Sequence, residues 1–218
     1  MVRCSLFIVH CSLFIAPFLE AVASSQTVDA GAIIEKTSRI YEEWGGLEAQ
    51  FVIQSYSMRN GSSESYEGVI RTNMNKFVLT TPDMLVWFDG VTQWIYLPRA
   101  DEVNISTPSA DELRILNPMM LLQDYQKDYQ ATLTGESTSA NAKVAYDITL
   151  TPKKTDTIEK IEIQIEKNTS LPVKLVITMR NYLRNTIIIN ELKKGNFPDE
   201  LFSFPKASYP DAEIIDLR

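Results

Sequence analysis

Apolar residues recur at every second position through most of this chain, which commits it to strands with one buried face. Ile161, Ile163 and Ile165 alternate with Glu162, Gln164 and Glu166; Val144, Tyr146, Ile148 and Leu150 alternate with Ala145, Asp147, Thr149 and Thr151. Leu47, Ala49, Phe51 and Ile53 alternate with Glu48, Gln50, Val52 and Gln54, while Val173, Leu175, Ile177 and Met179 share one parity. Further short strands are predicted at 66–72, 76–81, 84–88, 92–97 and 102–107, with 186–190 apolar on both faces. Turn signals such as Asn60-Gly61, Pro82-Asp83 and Asp89-Gly90 separate them. About ten such strands make a mainly β (α+β) fold, an antiparallel barrel or a strongly curved sheet.

Helical spacing appears in two places. Asp29 or Thr27 caps a helix reaching about Trp44, with Ile33, Ile34, Ser38 and Tyr41 on one face and Gly45-Gly46 ending it. Residues 109–122 form a two-piece helix, because Ser109 and Glu112 make a capping box and Asn117-Pro118 forces a stop and restart. A helical insertion between strands is a candidate lid. Residues 137–142 are small and polar and read as a loop.

The N-terminus reads as a cleavable export signal, residues 1–23: Arg3, an apolar stretch over 4–18, then Ala21-Val22-Ala23. Its apolar run is shorter than the ~20 residues of a membrane-spanning helix. Neither Cys4 after Arg3 nor Cys11 after His10 has the small residue that precedes an acylated cysteine. Residues 24–218 are then expected to form one exported, soluble domain, a monomer in the periplasm.

Both cysteines and the sole histidine lie in that leader. The rest can build no Ser-His-Asp or Cys-His nucleophile, no disulfide and none of the usual zinc sites. The leader holds one base, Arg3, and one acid, Glu20, so the remainder keeps the net charge of −7. Without a basic cluster, nucleic acid is not an expected partner. Catalysis would have to use carboxylates such as Asp124 and Asp128, spaced i, i+4; solvated surface acids are the simpler account, and no catalytic residue, metal or cofactor is expected. Sequons at Asn60, Asn104 and Asn168 are of the kind that arises by chance.

An open curved sheet plugged by helices encloses apolar space that can hold a ligand. Met119-Met120 in the lid could repack around variable alkyl groups. At ~0.8 kcal/mol per buried methylene, a sheltered acyl chain needs no polar site.

The run Asp89-Gly90-Val91-Thr92-Gln93-Trp94-Ile95-Tyr96-Leu97-Pro98, preceded by Pro82 and Trp87-Phe88, resembles the D-G-x-x-x-W-x-Y-x-P stretch of the LolA family of periplasmic lipoprotein carriers. Asn117-Pro118-Met119-Met120-Leu121-Leu122 and Leu150-Thr151-Pro152 follow in that family's order. Upstream, Leu47-Glu48-Ala49-Gln50-Phe51 resembles its first strand and Gly68 its second, so the match spans 29–204. The resemblance implies an unclosed, strongly curved antiparallel half-barrel with a helical lid over a hydrophobic cavity for lipoprotein acyl chains. Its expected partners are an inner-membrane lipoprotein-releasing ABC transporter and an outer-membrane acceptor. The expected wall and lid are Phe51, Ile53, Phe77, Leu79, Trp87, Trp94, Tyr96, Met119, Met120, Leu122, Ile148, Ile163 and Ile177. The chain departs from the family where a basic-Arg-Pro segment with a lid-latching arginine is expected: Asn73-Met74-Asn75 stands there, flanked by Arg71 and Lys76. Two other readings stay open on the same fold, a lipid- or lipoprotein-sensing envelope module and a carrier of another amphiphile. The tail Ile214-Ile215-Asp216-Leu217-Arg218 is expected to add at most an edge strand.

Overall fold

The computed structural model describes residues 29–117, 119–155 and 157–218, with the backbone alone for Asp111, Ile115, Met119 and Asp124. The expected leader, the Thr27 cap and Pro118 lie outside the described residues. Helix α1 spans Ala30–Trp44, and the Asp29 side chain caps it by accepting from the Ala32 amide at 3.2 Å. Its buried positions, Ala30, Ile33, Ile34, Thr37, Ser38 and Tyr41, fall at i, i+3, i+4, i+7, i+8 and i+11, a single stripe. Gly45, at φ 70°, turns the chain directly into β1.

Strands β1 (Gly46–Ser57), β2 (Ser63–Asn73), β3 (Lys76–Thr80), β4 (Leu85–Phe88), β5 (Gln93–Leu97) and β6 (Glu102–Ser106) form a first antiparallel meander. Helices α2 (Ala110–Leu116) and α3 (Met119–Asp128) follow, with the predicted Ser109/Glu112 capping box present. Strands β7 (Tyr129–Thr138), β8 (Val144–Pro152), β9 (Ile158–Glu166), β10 (Pro172–Met179) and β11 (Leu183–Lys194) make the second meander. β7 is an element the sequence reading missed; of the expected loop at 137–142, Ser137 and Thr138 belong to this strand.

β1 pairs with β11 and joins the meanders into one sheet of order β12-β6-β5-β4-β3-β2-β1-β11-β10-β9-β8-β7. The sheet is strongly curled and unclosed, since its edges β12 and β7 do not pair with each other. Bulges break the register between Gln50 and Phe51 against β11, and again in β9·β10 and β7·β8; each adds local bend and twist.

The order also accounts for the lid. β6 lies near one edge and β7 is the other, so the chain between them must cross the sheet. It crosses as helices, which satisfy their own backbone groups over an apolar surface. The enclosed core gathers Ile34 and Tyr41 of α1 and Leu121, Leu122 and Tyr125 of α3 with inward residues from β1 to β11.

After β11 the chain passes to the other face of the sheet. Two 3₁₀ turns, Asp199–Phe202 and Lys206–Ser208, lead to β12 (Glu213–Asp216), which pairs parallel with β6. The tail is thus an edge strand, and it makes the single parallel pair among the described residues. Val78, Trp87 and Phe202 form a second buried cluster with Trp94, Tyr96, Phe197, Phe204 and Tyr209 around them.

Candidate functional site

Inward residues of the central strands enclose a cavity of about 140 Å³. Ala49, Phe51 and Ile53 of β1, Tyr66 and Ile70 of β2, and Leu79 of β3 form one side. Leu175 and Ile177 of β10 with Ile187 and Ile189 of β11 form the other, and Leu116 and Asn117 close it at the α2–α3 elbow. Thr81, Met84 and Asn185 also line it, and the Ser55 hydroxyl donates to Asn185 Oδ1 at 2.7 Å across β1 and β11.

None of the lining side chains carries a charge. Tyr66 has the one titratable hydroxyl among them, and burial, with Asp83 and Glu64 nearby, pushes it above its ordinary value, so it is a neutral phenol. Among the described residues no three acids gather as a metal ion would require. The arrangement offers dispersion and burial, with a few hydrogen-bonding groups at its edge.

Four expected wall residues, Phe51, Ile53, Leu79 and Ile177, line the cavity. Phe77, Leu122, Ile148 and Ile163 lie in the same apolar interior, packed behind the walls at 0–1% exposure. Met120 packs against that interior and borders a second cleft of about 530 Å³ with Tyr41, Gly45, Thr72, Met74 and Gln123. Asn117 borders both spaces and so marks the partition between them. Met119 opens α3, and its side chain lies outside what is described.

Trp87, Trp94 and Tyr96 correct the expectation. They sit in the cluster on the opposite face, where Trp87 meets Phe204 edge-on at 5.4 Å and Tyr96 meets Tyr209 at 4.5 Å between ring centroids. Strand parity explains it: Val86, Phe88 and Ile95 point to the core, so their neighbours point away. Ala49, Tyr66, Ile70, Leu116, Leu175, Asn185, Ile187 and Ile189 line the cavity without having been singled out as site residues. Period-two parity from Phe51 and Ile177 already pointed to Ala49 and Leu175.

The lid is held without the family's basic segment. Arg114 of α2 donates to Asp128 at the end of α3 at 2.5 Å, and the Ser38 hydroxyl of α1 donates to the Leu122 carbonyl at 2.7 Å. Arg71 instead pairs with Glu48 at 2.7 Å, and Lys76 with Asp199 at 2.9 Å. Asn75 packs against Gly90, its side chain taking the space where a Cβ would stand 2.9 Å from Nδ2, and the φ of 102° at Gly90 also favours glycine.

A family model described as outer membrane lipoprotein carrier protein LolA matches residues 21–193. This chain belongs to the LolA family. Among solved structures it resembles an uncharacterized conserved protein from Thermus thermophilus at 14% identity and a TM-score of 0.58, covering 86% of this chain and 98% of that one. A LolA superfamily protein from Nitrosomonas europaea is 13% identical with a TM-score of 0.48, covering 81% and 98%. A putative outer membrane lipoprotein-sorting protein domain from Vibrio parahaemolyticus is 12% identical with a TM-score of 0.41, covering 81% and 99%. None of the curated proteins matches the chain. Among the described residues no helix of this LolA-family chain is long and apolar enough to cross a membrane.

Proposed function

We propose that this LolA-family protein is exported to the periplasm and shelters the acyl chains of lipoproteins there. It would take them from an inner-membrane ABC transporter and pass them to an outer-membrane acceptor. The observation that carries this reading is the uncharged, apolar cavity under a helical lid, in a member of this family. Its work is binding. Each methylene moved from water into such a space contributes ~0.8 kcal/mol, so one long acyl chain supplies several kcal/mol after its ordering cost.

The cavity is smaller than the ~300–1,000 Å³ of a typical ligand pocket. Loading therefore requires the α2–α3 elbow at Leu116 and Asn117 to move, which would merge the cavity with the cleft beyond it. The test is purification from the native envelope without detergent, with mass spectrometry of whatever lipids and lipoproteins accompany the protein, followed by transfer of a lipoprotein from inner to outer membranes in vitro. Recovery of acylated protein and stoichiometric transfer are expected; a preparation free of both lipid and transfer activity overturns the reading.

A further inference from the structure

We propose that the two hairpin tips beyond the cavity form a docking rim for an anionic phospholipid surface. This deepens the carrier reading and rests on it for its purpose, although the rim's binding can be measured without cargo. The β1–β2 tip, residues 55–63, and the β10–β11 tip, residues 178–185, stand side by side. Tyr56 lies opposite Arg184, and the Met58 amide donates to the Tyr182 carbonyl at 2.8 Å. In a chain of net charge −7, these two tips hold Arg59, Arg180 and Arg184 and no acid. Glu162 lies 3.9 Å from Arg184 and 3.2 Å from Lys160, and Glu64 stands opposite Ser55 just beyond the β1–β2 tip, so three arginines and Lys160 outnumber two acids there.

Large side chains are exposed there: Tyr56 at 45%, Met58 at 44% and Tyr182 at 55%. Tyr182 closes the turn from Met179 with φ 69°, a left-handed conformation that glycine adopts freely and an aromatic residue does not. Its ring gives the core little in return; it lies in solvent beneath the Arg59 guanidinium, 5.4 Å from centroid to Cζ. Glycine would hold this turn at lower conformational cost, and an exposed cation–π contact with Arg59 offsets only about 0.5–1 kcal/mol of that, which leaves the ring free to meet an outside surface.

Tyrosine at the headgroup level, arginine reaching phosphate and an adjacent methionine suit the boundary of a bilayer, and the positive charge selects an anionic one. Ile53 and Asn185 both line the cavity, and each lies three residues along its strand segment from an exposed ring, Tyr56 and Tyr182 respectively. At ~3.3 Å per residue the rim is about 10 Å from the apolar space, so an acyl chain could pass between bilayer and cavity with little exposure to water.

The test is co-sedimentation of the purified protein, residues 24–218, with phosphatidylcholine vesicles made with and without phosphatidylglycerol. Binding is expected only to the anionic vesicles and should fade as salt rises. Arg59→Glu should weaken it about tenfold, whereas Lys206→Glu, off the rim, should not. Tyr182→Gly should weaken binding several-fold while melting no lower than the parent, a combination a merely structural tyrosine would not give. Binding to neither vesicle, equal binding to both, or a Tyr182→Gly protein that binds normally overturns the proposal. So does a rim that leaves vesicles alone and is needed only for an acidic protein acceptor. A protein that carries lipid yet ignores vesicles would refute the rim and leave the carrier reading standing.

Discussion

The ring of Phe51 lies against Gly68, its partner on β2, so closely that a Cβ at residue 68 would stand 2.5 Å from Cζ of the ring. The Thr80 carbonyl oxygen, 3.1 Å away, closes off another direction of relief. Gly68→Ala should therefore drive Phe51 out of its place in the cavity wall and destabilise the fold by about 1–3 kcal/mol. Thermal melting and denaturant titration measure it, and Phe51→Leu should restore part of the loss in the double variant.

Ile53 is half-buried where β1 runs out toward the hairpin tip, and its side chain lines the cavity. Ile53→Trp should occupy space that the proposed acyl cargo would take. Displacing two methylenes at ~0.8 kcal/mol each corresponds to a more than tenfold loss of affinity. Titration with a fluorescent fatty acid reads the loss, and an unchanged affinity would mean that ligand does not enter here.

Arg114 has 18% of its side chain exposed and Asp128 has 47%, so their pair is shielded on one side only. Arg114→Ala should remove about 1 kcal/mol from the docking of α2 onto the end of α3 within the lid. Amide exchange in α2 should accelerate several-fold and apolar ligand should load faster, while the melting temperature of the sheet changes little.

Lys193, and then Arg71, hold the Glu48 carboxyl below its ordinary value of 4.5, against burial, which pushes it up. A depressed folded-state value means that this stabilisation is complete above about pH 4.5 and is lost as pH falls through the lower, folded value. Glu48→Gln should accordingly be less stable than the parent at neutral pH, and the two should converge as the solution is acidified below pH 4. Melting curves at a series of pH values show whether they do.

Much of this architecture was legible because one face of many of the strands is polar. Glu162, Gln164 and Glu166 left no doubt about where Ile161, Ile163 and Ile165 point, and all three isoleucines are buried. The capping box at Ser109 and the break after Leu116 were equally local signals. β7 was missed because Tyr129 to Thr138 is an edge strand whose burial alternates only at Tyr129, Ala131 and Leu133. Trp94 and Tyr96 failed differently: with Ile95 between them, β5 is apolar on both faces, and parity cannot say which side is inside. That was decided by a segment a hundred residues later, whose Phe202, Phe204 and Tyr209 cover the outer face.

Trp87 separates the two faces experimentally. It is 5% exposed, pairs with Trp94 across β4 and β5, and packs its ring against Phe204 and Tyr209 at 5.4 and 5.9 Å. Trp87→Ala should open a void beneath the C-terminal segment and cost about 3–5 kcal/mol. Residues 197–209 and β12 should then exchange amide protons faster, since β12 meets the sheet only through β6. Val86 and Phe88 keep their places on the inner face, so the variant, assayed at a temperature where it is folded, should bind a fluorescent fatty acid as tightly as the parent. A loss of binding like that expected for Ile53→Trp would place the ligand on the outer, aromatic face instead.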